Sequence, residues 1–149
     1  MNANDFRTLI VRPCVDEFLA EPDSFQRAAC ATWALDAYAS HIFMEVAEAR
    51  PYPSDGAYKN KVLNINLDFQ RVFEMAKALK HGHLNDHNPT TRNSGDLKFG
   101  DLQGWSWYFS GAEAPGEQFY VHTSGYIFRY YSEAVPRALD FLDHKLEAG

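Results

Sequence analysis

Two cysteines, Cys14 and Cys30, are the whole thiol content of the chain, too few for a scaffold built on disulfides. Both stand among apolar neighbours and lie equally far on either side of Pro22, where a helix–helix turn is expected. Their ordinary role is that of small buried apolar side chains, although the symmetric spacing also lets them face each other. Long apolar runs are missing too. No stretch approaches the ~18–20 uncharged residues of a membrane-spanning helix. The opening residues, Met1 to Arg7, have no continuous apolar segment of the kind a signal peptide needs. A cytoplasmic protein with no membrane partner is therefore expected. Basic residues are outnumbered 14 to 20, for a net charge of −6. That balance argues against passive binding to nucleic-acid phosphates or anionic lipid, but leaves room for a local basic patch at Arg71, Lys77 and Lys80. Gly-x-Ser-x-Gly, P-loop and Gly-x-Gly-x-x-Gly motifs are all absent, as are internal repeats.

What is present suits one domain over 1–149, since 149 residues with 46% hydrophobic content can bury a single core. Residues 1–83 read as a helical part. Apolar positions from Phe6 to Leu19 predict a helix over 4–20, kinked or broken at Pro13. Glu21-Pro22-Asp23-Ser24 stops it and caps the next. The 3–4 spacing of Phe25, Ala28, Thr32, Leu35, Ala39, Ile42 and Val46 predicts a long helix over 24–49. Pro51 to Gly56 breaks the chain. A short helix over 57–64 and a longer one ending near His81 follow.

Residues 84–104 are polar and read as a loop. From 105 the period changes to two: Trp105, Trp107 and Phe109, then Phe119 and Val121, then Tyr126, Phe128 and Tyr130 alternate with their neighbours. Antiparallel strands are predicted over 105–131, with a tight turn at Thr123-Ser124-Gly125. Ser132 then caps a last helix over 132–147, with Pro136 in its first turn. The expected class is α+β: three or four helices in a small bundle, an aromatic-rich antiparallel sheet, and a C-terminal helix.

Three groups of residues carry candidate chemistry. His81, His83, Asp86 and His87 lie within one short run, and imidazole and carboxylate are normal ligands of zinc or another divalent metal. The alternative is that His81 ends a helix, where a cation complements the macrodipole, and no cofactor is bound. Lys77 and His81 are four residues apart on one helical face, with Glu74 one turn earlier, so the three could act as an acid/base set on a phosphate. A solvated face of weak pairs is the plainer explanation. Tyr108, Tyr120, His122, Arg129 and Tyr131 alternate with the apolar strand positions and would form a polar aromatic face for a ligand or partner.

The run from Phe69 to His81, ending in Lys80-His81 after a long alanine-rich helix, resembles the HEPN-like helical proteins of bacterial toxin–antitoxin and defence systems. The likeness spans about residues 24–83. It implies a ribonuclease or an inactive relative, working as a dimer on RNA. The nuclease members carry Arg-x(4–6)-His, and His81 has no arginine at that distance. The literal match is Arg137 to His144. The run Ala76-Lys77-Ala78-Leu79-Lys80-His81 is also similar to a group of small bacterial proteins with an Ala-x-x-Lys-His helix end and a C-terminal sheet, which brings no activity with it. With no complete catalytic motif, the expectation is a non-catalytic interaction or regulatory module with a protein partner or a second copy. RNA remains a possible partner, and a metal-dependent hydrolase is a further alternative.

Overall fold

The computed structural model describes residues 1–81, 97–100, 118–121 and 129–149, with side chains at 1–81 and 130–149. The chain begins with one turn of helix, α1 (Ala3–Phe6), capped by Asn2, whose Oδ1 accepts from the Asp5 amide at 2.7 Å. A π-helical turn, Arg7–Val11, follows and runs straight into α2 (Arg12–Ala20). The disturbance expected at Pro13 takes this form. A proline inside a helix pushes against the carbonyl four residues earlier, here Leu9, and the wider π turn that contains Leu9 gives it room. The helix is therefore continuous rather than broken.

Ser24 caps the central helix, α3 (Phe25–Glu45), by accepting from the Arg27 amide. Val46 then turns extended, so the helix stops short of the predicted boundary at 49. Ser54 caps α4 (Asp55–Lys61), and Asn66 Oδ1 accepts from the Phe69 amide at 2.9 Å at the start of α5 (Leu67–His81). The last helix, α6 (Tyr131–Glu147), begins at Tyr131 with no side-chain cap, one residue before the expected Ser132.

Helices α3, α5 and α6 pack on one another, with α1 and α2 laid along α3. Their apolar stripes meet through Leu35, Tyr38, Ile42, Phe69, Val72, Met75, Val135, Leu139 and Leu142, all buried. Full burial of each such side chain is worth roughly 1.5–3 kcal/mol before entropy is charged against it. Alanine is frequent where α3 meets its neighbours, at Ala28, Ala31, Ala34 and Ala39, and lets them approach closely. Phe69 stacks on Phe73 at 5.9 Å and meets Phe141 of α6 at 6.3 Å.

The α+β expectation is overturned. Where side chains are described, 83% of the residues are helical, and the core is built by helices and the turns between them. Among the described residues, strand pairing involves three short backbone segments: β1 (Leu97–Gly100), β2 (Gln118–Val121) and β3 (Arg129–Tyr130). They run antiparallel in the order β1-β2-β3, with Phe99 opposite Phe119 and Tyr120 opposite Tyr130. β1 lies inside the segment expected to be loop. The physical reason for the correction is that, among the described side chains, the apolar stripes of the amphipathic helices meet one another and form the core, with β2 and β3 lying against α6. Trp105, Trp107, Phe109, Tyr126, Phe128 and the turn at Thr123-Ser124-Gly125 lie outside the described residues.

Candidate functional site

The sequence places Glu74, Lys77 and His81 on one solvated face, and the structure separates them by depth. Glu74 is only 5% exposed and accepts from Gln70 Nε2 at 2.9 Å, so it does not belong to a solvated face. The Lys77 ammonium stands 5.1 Å from the centre of the Phe73 ring, a cation–π distance. His81 is exposed as the last residue of α5. Of the expected metal ligands, His83, Asp86 and His87 lie outside the described residues. Among the described residues, no group of three or more His, Cys, Asp or Glu side chains is placed to hold a metal ion.

The expected polar aromatic face is only partly within view. Tyr108 and His122 lie outside the described residues, while Tyr120 and Arg129 are described by backbone alone, on β2 and β3. Tyr131 does not join that face. It is the first residue of α6, fully buried, with its hydroxyl 2.7 Å from Thr32 Oγ1. Burial pushes its phenol well above the ordinary tyrosine range. The cysteine expectation needs correction as well, since Cys14 is half-buried and Cys30 is exposed.

Two polar clusters that no local motif announces bind the helices together. Asp143 of α6 takes two parallel bonds from Arg7, at 2.7 Å from Nε and 2.6 Å from Nη2. It also accepts from Arg12 Nη2 at 3.1 Å and from the Tyr38 hydroxyl at 3.0 Å. Its lone pairs are thus filled by α2, α3 and the π turn together. Burial, and next the Asp143 charge, hold the Tyr38 phenol far above its usual range.

The second cluster centres on Lys59 of α4, which is 3% exposed. Its ammonium donates to Asp36 at 2.7 Å and to Ser40 Oγ at 2.9 Å, and pairs with Asp55 at 3.5 Å. A lysine touching a serine hydroxyl resembles the start of a nucleophile. The arrangement works against that chemistry. Two carboxylates already engage the ammonium, and Ser40 donates to Asp55 at 2.8 Å. That hydrogen bond, with the nearby Lys59 charge, lowers the Asp55 pKa and makes it a poor base. The cluster fastens α4 to α3.

The remaining distinctive feature is the outer face of α3. Gln26, Trp33, Ala37 and Met44 lie within about a third of a turn around the helix. Trp33 is 50% exposed and Met44 78% exposed. No charged residue interrupts this line. Its edges are set by contacts on either side: His41 stacks on Phe6 at 4.3 Å toward α1, and Ser40 meets Lys59 toward α4. Trp33 and Met44 thus leave large apolar side chains open to water along one uncharged line of α3. The sequence pattern hid it, because alanine fills so much of α3 that inner and outer faces look alike.

Comparison of the chain with family models, with curated proteins and with solved structures finds no match. Among the described residues, no helix is long and apolar enough to cross a membrane.

Proposed function

We propose that this protein is a non-catalytic interaction module of the cytoplasm, and that its partner is a second copy meeting it across the outer face of α3. The half-exposed Trp33 on an uncharged stripe carries the reading. The stripe is self-complementary in size. Two copies of α3 related by a two-fold axis between Trp33 and Ala37 run antiparallel, with the large indole of each over the small Ala37 of the other and Met44 over Gln26. Large against small at symmetry-related positions is what an isologous contact requires. The net charge of −6 on each copy opposes association, so added salt strengthens it. Sedimentation or light scattering across a concentration series tests this. A dimer is expected for the wild type, and a folded monomer for Trp33→Glu with unchanged helical circular dichroism. A wild type that stays monomeric at every concentration removes the reading.

A second reading, a HEPN-like ribonuclease or its inactive relative, is favoured by one observation. Arg137 and His144 are both exposed on α6, seven residues and thus about two turns apart on one face. RNA cleavage by the purified chain, with and without chelator, tests it beside His81→Ala and His144→Ala. Loss of cleavage in a folded His144→Ala chain supports a nuclease, and absence of cleavage in the wild type removes it.

A further inference from the structure

The N-terminal helical segment lies antiparallel along α3, and three contacts give its register. The Ala3 amide donates to Glu45 Oε1 at 2.6 Å, the Phe6 ring stacks on His41, and the Glu17 carbonyl accepts from Arg27 Nη1 at 3.1 Å. Three residues back from Glu17 is Cys14, and three residues on from Arg27 is Cys30. The two thiols therefore come opposite each other, between the second contact and the third. Their facing agrees. Cys30 and His41 are eleven residues apart on α3, which places them only about 20° apart around the helix. His41 looks onto the N-terminal segment, so Cys30 does too. Cys14 packs beside the core, while Cys30 lies open to solvent on the α2 edge of the outer face. Burial, and then the Cys30 charge, push the Cys14 thiol up, so the two sulfurs feel each other.

We propose that Cys14 and Cys30 form a reversible modification site: a dithiol that closes to an intramolecular disulfide and staples α2 to α3. The oxidant is a low-molecular-weight disulfide such as oxidised glutathione. The exposed Cys30 thiolate attacks one of its sulfurs, expels one glutathione thiolate, and carries the other half as a mixed disulfide. Cys14 loses its proton and attacks Cys30 Sγ, expelling the second glutathione. One protein dithiol and one glutathione disulfide become one protein disulfide and two glutathione thiols. The alanines of α3 allow the close helix approach that disulfide geometry demands, with Cα atoms about 4.4–6.8 Å apart. The site does not depend on self-association through α3.

The test is incubation of the dilute, full-length chain with oxidised glutathione, followed by mass spectrometry of the intact and digested protein. The expected product has lost two hydrogens, carries no glutathione, yields a Cys14–Cys30 linked peptide, melts at a higher temperature, and returns to the dithiol with dithiothreitol. Cys14→Ser, checked for folding by circular dichroism, is expected to stop at one glutathione on Cys30. Cys30→Ser is expected to react more slowly, because the remaining thiol is half-buried. A wild-type product that keeps glutathione on Cys30 beside a free Cys14 overturns the proposal. So does a product whose disulfides join separate chains through Cys30 alone.

Discussion

Arg7 and Asp143, 136 residues apart in the chain, are held by two parallel hydrogen bonds of 2.7 and 2.6 Å. The pair ties the first turns of the protein to its last helix, and Tyr38 of α3 closes the same carboxylate from the inside. Removing one partner strands the other. Asp143→Ala leaves a partly exposed guanidinium and a buried phenol without their acceptor, and is expected to cost about 2–3 kcal/mol in urea unfolding. Arg7→Ala should cost less, because Arg12 still reaches Asp143.

Lys59 gives a contrasting case. Its carboxylate partners are partly open to water, with Asp36 33% and Asp55 46% exposed at the side chain. Lys59→Met keeps an unbranched apolar stem, removes the ammonium that stands 5.6 Å from the Phe73 ring centre, and lets both carboxylates hydrate. A loss of about 1–2 kcal/mol is expected in chemical denaturation, smaller than for Asp143→Ala.

Acid should weaken the same corner. The Ser40 hydroxyl, then the Lys59 charge, hold the Asp55 carboxyl below its ordinary value in the folded chain. A carboxyl with a depressed folded pKa adds stability above the unfolded pKa, near pH 4, and loses it as pH falls through the folded value. Asp55→Asn should therefore flatten the fall in melting temperature below about pH 4, and leave its slope near neutral pH unchanged.

Alkali should act through tyrosines. Burial, then the Glu48 charge, push Tyr58 up to about 12, and burial holds Tyr38 and Tyr131 higher still. Raised phenols add stability that is complete below the unfolded pKa, near 10, and lost as pH rises through the folded value. Tyrosinate absorbance should show a late phase that coincides with loss of helical circular dichroism. Tyr131→Phe should shrink that phase.

Helices were the legible part of this sequence. Ser24 announces a helix start through its side-chain oxygen, and the 3–4 spacing of Leu35, Ala39 and Ile42 marks an inward face; Ser54, read as part of a break, proved to be a cap as well. Such signals are local, and the structure honours them to within a few residues. The class was not legible, because alternation of Trp105, Trp107 and Phe109 reports only an extended preference and not which elements fill the core. Tyr131 shows the same failure in one residue: its alternation with Tyr130 resembles a strand, yet the chain turns helical there and buries the ring. The Asp143 and Lys59 clusters were out of reach for a different reason. The Asp143 contacts span 105 to 136 residues, and no spacing rule connects Arg7 to Asp143; Lys59 meets Asp55 at ordinary i,i+4 helical spacing, but nothing local brings it to Asp36 of α3. The outer face of α3 was hidden by its alanines, which satisfy either side of a helix.

The π turn at Arg7–Val11 amounts to one surplus residue of winding just before α2. Deleting a single residue such as Thr8 within that turn would restore ordinary pitch and leave its two flanks in nearly the same phase, because the wider π winding already absorbs the extra residue. Phe6 would still face His41, and the first turns would stay seated on α3. The same deletion inside α2 has no such slack and would turn everything upstream by about 100°. The π turn is thus a slack link in the winding, where the chain can lose a residue without unseating what lies before it.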